Sequence, residues 1–247
     1  MISYDIVESG SSGNFAKIHF GRVTIAIDYG FSFKKYEHML YDVDIILFTH
    51  KHADHIKPAS YKLIRKNFPR IKMIGNRDTN DFLIVHDCQP LDIIIEPDNH
   101  FRIGSIDIRT FENYHGDVTS MGFIFEYMGE YMLFAHDLST TIDYCEYLDQ
   151  TGIKLDYCLL ESNYKPEVLQ FIEYLKLHTG FDVFNSGSYR HLSTREWYEF
   201  TEKYCKEVST VIQLHKSSTY HDWHGMLDKF DNVTLQEVLS WKYGEQY

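Results

Sequence analysis

The chain has 247 residues, with 24 Lys and Arg against 36 Asp and Glu, a formal net charge of −12. A strongly acidic balance argues against a dedicated binder of long nucleic acid, whose affinity rests on Lys and Arg against phosphates. Hydrophobic residues at 44% are ordinary for a globular protein, and no apolar run approaches the ~18 residues of a membrane span.

In chain order, Ile2, Tyr4 and Ile6 alternate with polar neighbours as in a half-buried strand. Ser9-Gly10-Ser11-Ser12-Gly13-Asn14 reads as a tight turn into a second strand, Phe15 to Phe20, and a third runs from Val23 to Ile27. Phe31 to Leu40 is expected to be helical. Asp44 to Phe48 is an apolar run of the kind found in buried strands. A helix opening at Pro58 runs to Phe68. Strands follow at Ile71 to Ile74 and Leu91 to Ile95, with a helix at Thr79 to Val85 between them. Ile106 to Phe111 alternates, and Met121 to Tyr127 with Tyr131 to Ala135 reads as a hairpin. Thereafter helices (Thr140 to Leu148, Pro166 to Leu177, Ser193 to Val208) alternate with strands (Tyr157 to Leu160, Thr210 to Leu214). Ser193 to Glu196 has the capping-box pattern. Hairpins first and β/α alternation later imply layered sheets covered by helices. No linker, composition break or repeat divides the chain, so one domain over residues 1–247 is expected.

Cys88, Cys145, Cys158 and Cys205 form no C-x-x-C pair, so buried free thiols are expected. Met1 to Asp5 shows no basic region leading into an apolar stretch, which points to a cytoplasmic protein.

The stretch with most chemistry is Thr49-His50-Lys51-His52-Ala53-Asp54-His55. Side chains alternate along a strand, so His50 and His52 should project from one face at its end. Three imidazoles and a carboxylate are more ligands than one tetrahedral ion takes from a single loop. Two neighbouring ions that draw further ligands from distant segments suit it better. Mixed imidazole and carboxylate donors favour zinc, with manganese, iron or nickel as alternatives. Other candidates stand where apolar strands end: His115, Asp137 and His215.

His50-x-His52-x-Asp54-His55 resembles the signature of the metallo-β-lactamase superfamily, a set of mostly two-metal hydrolases. The resemblance implies an α+β fold, the four-layer αββα sandwich. It also implies that His50, His52 and His115 hold one ion, Asp54, His55 and His215 the second, and Asp137 both. His136 competes with Asp137, and the family pattern selects the aspartate.

The Ser9 to Asn14 loop and Leu159 to Leu169 are similar to segments of WalJ/YycJ-type exonucleases, in which the loop lies beside the metals. That places Ser11, Ser12 and Asn14 near substrate. His191-Leu192-Ser193-Thr194 resembles the same branch, and also the His-Ser-Thr stretch of tRNA 3′-processing endonucleases (tRNase Z). Those families have a non-ligand histidine there, beside the scissile phosphate. His191 and Asp54 are therefore the implied catalytic residues, with Ser193 a substrate contact. The resemblance spans roughly Ser9 to Ser217. It departs after His215, where Lys216 to His224 replaces a longer Asn-containing run.

The expected function is phosphodiester hydrolysis by a metal-bridging hydroxide, with nucleic acid or a nucleotide as substrate and no membrane partner. A homodimer is compatible. The alternatives are a phosphodiesterase of small cyclic or short oligonucleotides, a hydrolase of a thioester, lactone or β-lactam, and a silent metalloprotein used as a binding module.

Overall fold

The computed structural model describes residues 1–175, 187–230 and 233–243. Two six-stranded sheets pack face to face. The first contains β1 (Ile2–Glu8), β2 (Phe15–Phe20), β3 (Val23–Ile27), β4 (Ile45–Leu47), β5 (Lys72–Gly75) and β6 (Ile93–Ile94), in that spatial order. The second contains β7 (His100–Ile103), β8 (Ile106–His115), β9 (Val118–Tyr127), β10 (Glu130–Ala135), β11 (Leu155–Glu161) and β12 (Cys205–Leu214), also in sequence order across the sheet. In each sheet hairpin-connected antiparallel strands give way to parallel ones, at β3–β4 in the first and β10–β11 in the second.

The layers follow from period-two alternation. Ile25, Ile27, Ile45 and Leu47 point inward against Phe123, Phe134 and Leu159 of the other sheet. Their neighbours Ala26 and Ile46 point outward onto Tyr61 and Ile64 of the helix Pro58–Asn67. On the far side Leu133, Ala135, Cys158 and Leu160 pack against Tyr144 and Leu148 of the helix Ile142–Thr151 and Phe200 of the helix Thr194–Tyr204. Helix, sheet, sheet, helix is the α+β sandwich expected.

Several boundaries differ from expectation. β8 does not stop at Phe111 but continues to His115, paired with β9 across a Gly116-Asp117 turn in which Gly116 has φ 70°. Long cross-strand pairing outweighs the polar composition of Glu112-Asn113. The helix expected to reach Val208 ends at Tyr204, because Cys205 enters β12 and pairs with Leu155, and β-branched Val208, Thr210 and Val211 suit an extended edge. Phe31 to Leu40 is only a short α-turn, Phe33–Tyr36, followed by a 3₁₀ turn, Glu37–Leu40. Burial of Phe31, Phe33 and Leu40 in one cluster favours this tighter winding. β7 was not foreseen. Helix Pro166–Tyr174 starts as expected, while its expected end at Leu177 lies outside the described residues.

Candidate metal centre

The His50–His55 loop follows β4 and is pinned before it reaches its histidines. Thr49 N–H and Oγ1–H donate to Asp28 Oδ1 and Oδ2, each at 2.8 Å. Thr49 O accepts from Met121 N of the other sheet. The loop then turns, His55 N and Ile56 N both donating to His52 O, and settles on the end of β3. Asn14 N donates to Asp54 O at 2.7 Å and Tyr29 N to His55 O at 2.9 Å. Gly30 makes this contact possible, since a Cβ there would lie 1.7 Å from Asp54 O.

β4 ends at Leu47, so loop contacts rather than strand pleating place His50 and His52 together. Their Nε2 and Nδ1 atoms are 2.9 Å apart. Two nitrogens on one tetrahedral zinc at ~2.05 Å stand about 3.3 Å apart, so the pair is near chelating geometry. His115, the last residue of β8, closes this group, with its ring 5.4 Å from both others. Asp54, His55 and His215 form a second group, with His55 Nε2 and His215 Nε2 at 3.4 and 3.8 Å from Asp54 Oδ2. Asp137 lies between the groups. Its Oδ2 is 2.8 Å from His55 Nε2, and its Oδ1 is 3.4 Å from His215 Nε2 and 3.7 Å from His115 Nε2. All seven residues implied by the family resemblance therefore converge.

Three strand-end residues here, Asp28, Asp137 and His215, have left-handed backbone (φ 58, 53 and 48°). Side chains other than glycine adopt that region reluctantly, and such strain concentrates at functional sites.

Four of the five candidate ligand histidines have their other ring nitrogen engaged, the arrangement that fixes tautomer and orientation at metal sites. His50 Nδ1 faces Thr49 Oγ1 at 3.1 Å, and His55 Nδ1 faces Asp28 Oδ2 at 2.7 Å. His115 Nδ1 faces the carbonyl of Arg190 at 3.4 Å, and His215 Nδ1 faces Glu161 Oε1 at 3.2 Å. His136 packs edge-on against the His55 ring, centroids 4.8 Å apart, and meets Asp28 Oδ2 with Nε2 at 3.1 Å.

Electrostatics divides the imidazoles. Burial, reinforced by His55, pushes His50 well below the ordinary histidine value, and burial likewise lowers His115. Burial thus disfavours the charged form of both. Burial alone would also lower His55 and His215, but the carboxylates facing them win, raising His55 strongly and His215 to about 10. Conversely, burial would raise Asp54 and Asp137, and the facing His215 and His55 hold both well below the usual carboxylate range. Buried carboxylates that demand positive charge are what divalent ions would satisfy. Two atoms make the same point: Asp137 Oδ2 and His215 Nε2 are buried without a hydrogen-bond partner. The 2.8 Å approach of His55 to Asp137 Oδ2 lacks hydrogen-bond geometry. Donor atoms of His50, His52 and His115 lie within 4.8 Å of one another, as do those of Asp54, His55 and His215, so the residues present fit two ions.

His191 stands beside this set, with its side chain 18% exposed. Its Nδ1 is 2.6 Å from Glu161 Oε1, and its ring stacks on His215 with centroids 5.2 Å apart. Burial would lower its affinity for a proton, but Glu161 outweighs burial and raises it. Asp137, Glu161, His191 and His215 also offer four donor atoms within 4.8 Å of one another. Nδ1 of His191 is committed to Glu161, however, and that leaves Nε2 for another purpose.

The residues expected at substrate are placed differently from one another, and only Asn14 lies against candidate ligands, its Nδ2 3.0 Å from His55 Nε2. Ser11 and Ser12 are exposed on their loop. Asn14 is 2% exposed and turned inward, its amide donating to Gly10 O and Asp54 O. The Ser193 hydroxyl is taken up by the capping box with Glu196. Asp28 and Glu161, both fully buried, were not singled out from sequence. Each is an acidic residue ending an apolar strand, the same signal that marked Asp137.

A family model described as a β-lactamase superfamily domain matches residues 14–143. Comparison with curated protein sequences returns no match. Similar solved structures include YhfI, a metallo-β-lactamase fold protein from Bacillus subtilis, at 15% identity and TM-score 0.64, covering 92% of this chain and 90% of that one. Human tRNase Z, short form, aligns at 14% identity and TM-score 0.61, covering 88% and 93%. A diphosphatase of the PhnP family aligns at 15% identity and TM-score 0.59, covering 88% and 87%. At these identities the likeness establishes the fold.

Proposed function

The chain belongs to the β-lactamase superfamily, and from that premise we propose that it is a two-metal hydrolase of phosphodiester bonds, a nuclease or phosphodiesterase. The observation that carries this reading is the Glu161–His191 pair beside the candidate metal centre. Glu161 Oε1, 2.6 Å from His191 Nδ1, fixes a tautomer with a proton on Nδ1 and leaves Nε2 at the partly open side. An alkoxide leaving group needs a proton as its bond to phosphorus breaks; an imidazole 18% exposed, whose imidazolium form is supported by a buried carboxylate, can donate one from Nε2 and return to the Nδ1–H tautomer. A β-lactam or lactone hydrolase has less call for a second, non-ligand imidazole.

His50, His52 and His115 would hold one ion, Asp54, His55 and His215 the other, with Asp137 shared; zinc suits these donors and manganese is the alternative. When bound, such ions supply an activated water and neutralise phosphoryl charge. Asp54 orients the attacking water from its loop, and His191 protonates the departing oxygen. Among the similar structures, tRNase Z acts on RNA and the PhnP-family protein is a diphosphatase. Both support phosphorus as the reacting centre. The WalJ/YycJ-type branch, acting on nucleic-acid ends, is the favoured placement. The charge of −12 favours short over long substrates, so a cyclic or short oligonucleotide is the second reading. The test is metal analysis followed by bis(p-nitrophenyl) phosphate, cyclic nucleotides, oligonucleotides and a chromogenic β-lactam. Turnover of phosphodiesters and not of the β-lactam is expected. The reverse pattern would overturn the reading.

A further inference from the structure

Arg190 is an exposed cation at the edge of the candidate centre that nothing above employs. Its position is built rather than loose. Its carbonyl lies 3.4 Å from His115 Nδ1, which ties the residue to a candidate metal ligand. Its guanidinium lies across two glycine turns: a Cβ on Gly116 would stand 3.0 Å from Nη1, and one on Gly187 would stand 3.1 Å from Nη2. Both glycines have left-handed backbone (φ 70 and 80°). The side chain therefore rests over bare backbone between the end of β8 and the segment that delivers His191.

Arg65, Arg77, Arg102 and Arg195 each face a carboxylate, while Arg22, Arg70 and Arg109, like Arg190, face none among the described residues. Among the described residues none pairs with Arg190, although the chain has 36 acidic residues. A planar fork of N–H donors laid over two glycine turns, with no carboxylate partner among the described residues, is suited to bidentate capture of an oxyanion. Exposed aromatic rings adjoin it on the same two segments, Tyr114 at 45% and Tyr189 at 40% exposure. They offer stacking surfaces for a nucleoside.

We propose that Arg190 binds a second phosphate of the substrate, one beyond the phosphate being cleaved, and so selects phosphorylated oligonucleotide ends over isolated phosphodiesters. The proposal rests on the phosphodiester reading above and names its substrate class. Arg190 is a binding residue here and touches no reacting atom.

The test separates binding from turnover. Metal-loaded wild type, Arg190→Gln and Arg190→Lys are titrated calorimetrically with a phosphorothioate-linked thymidine dinucleotide bearing a 5′-phosphate, a 3′-phosphate or neither. Wild type should bind one phosphorylated form roughly 10–100-fold more tightly than the unphosphorylated one, the range for a hydrogen bond to a charged group. Arg190→Gln should abolish that preference and Arg190→Lys should keep part of it. Hydrolysis of bis(p-nitrophenyl) phosphate should be unchanged in all three proteins. No preference in wild type, a preference that survives in Arg190→Gln, or equal loss on bis(p-nitrophenyl) phosphate would each overturn the proposal. Failure of the phosphodiester reading would look different: the preference would be present, but wild type would cleave no phosphodiester.

Discussion

The two sides of the candidate centre use one device to different ends. On the first-sheet side, Asp28 stands behind His55 and also receives Thr49 of the same loop and His136 from the end of β10 in the other sheet, and His191 is not among its partners. On the second-sheet side, Glu161 stands behind both His215 and His191, one a candidate ligand and the other a non-ligand imidazole, while its Oε2 accepts from Leu138 N. In the proposed mechanism Asp28 would thus serve metal binding alone, whereas Glu161 would couple metal binding to proton transfer. A buried carboxylate behind an imidazole does not by itself say which role it serves; its other partners do.

The largest effect should come from the contact that seats the loop on the first sheet. Gly30→Ala forces a Cβ to 1.7 Å from Asp54 O, against backbone that cannot step aside. We expect a loss on the order of 3–5 kcal/mol, as for severe overpacking, seen as a melting temperature lower by about 10 °C and loss of bound metal. Normal melting and metal content in that variant would show that the loop is not seated as described.

Next, His191→Ala should lower the rate by about 10²–10⁴-fold while keeping the metals and near-native stability. The loss should shrink on bis(p-nitrophenyl) phosphate, whose leaving group needs little protonation. An equal loss on poor and good leaving groups would remove His191 from proton transfer.

The two carboxylates give the sharpest contrast. Asp28→Asn should weaken metal affinity roughly 10–100-fold, the usual cost of losing an outer partner of a ligand histidine. At saturating metal it should restore most of the rate. Glu161→Gln should show a similar affinity loss together with a rate defect that added metal does not repair. Full rescue of both variants would erase the distinction between the two sides.

How far the sequence revealed this centre depended on whether its residues were close together in the chain. His50 to His55 stand within one loop, and His115, Asp137 and His215 follow apolar strands, so strand-end position alone made them candidates. Their division between two ions required the family resemblance. Asp28 escaped notice because Ile27-Asp28-Tyr29-Gly30 reads as an ordinary turn after a strand. Its partners lie 21 to 108 residues away. Glu161 was similarly hidden, since its link to His191 spans 30 residues. Asn14 and Ser193 were legible as polar residues near the site, whereas their inward and capping roles depend on backbone geometry that composition does not encode. The end of the Thr194–Tyr204 helix was misjudged because a local helical pattern was overridden by pairing of Cys205 to Leu155, a long-range contact.

The central claim is that seven residues hold two ions and that His191 is not among them. Metal content per chain, measured on wild type, His191→Ala and His215→Ala after metal-supplemented expression, tests it most directly. The prediction is about two divalent ions in wild type, about two in His191→Ala and about one in His215→Ala, with chelation lowering the melting temperature of wild type because the ions cross-link distant strands. Wild type without metal, or His191→Ala with one ion fewer than wild type, would contradict it.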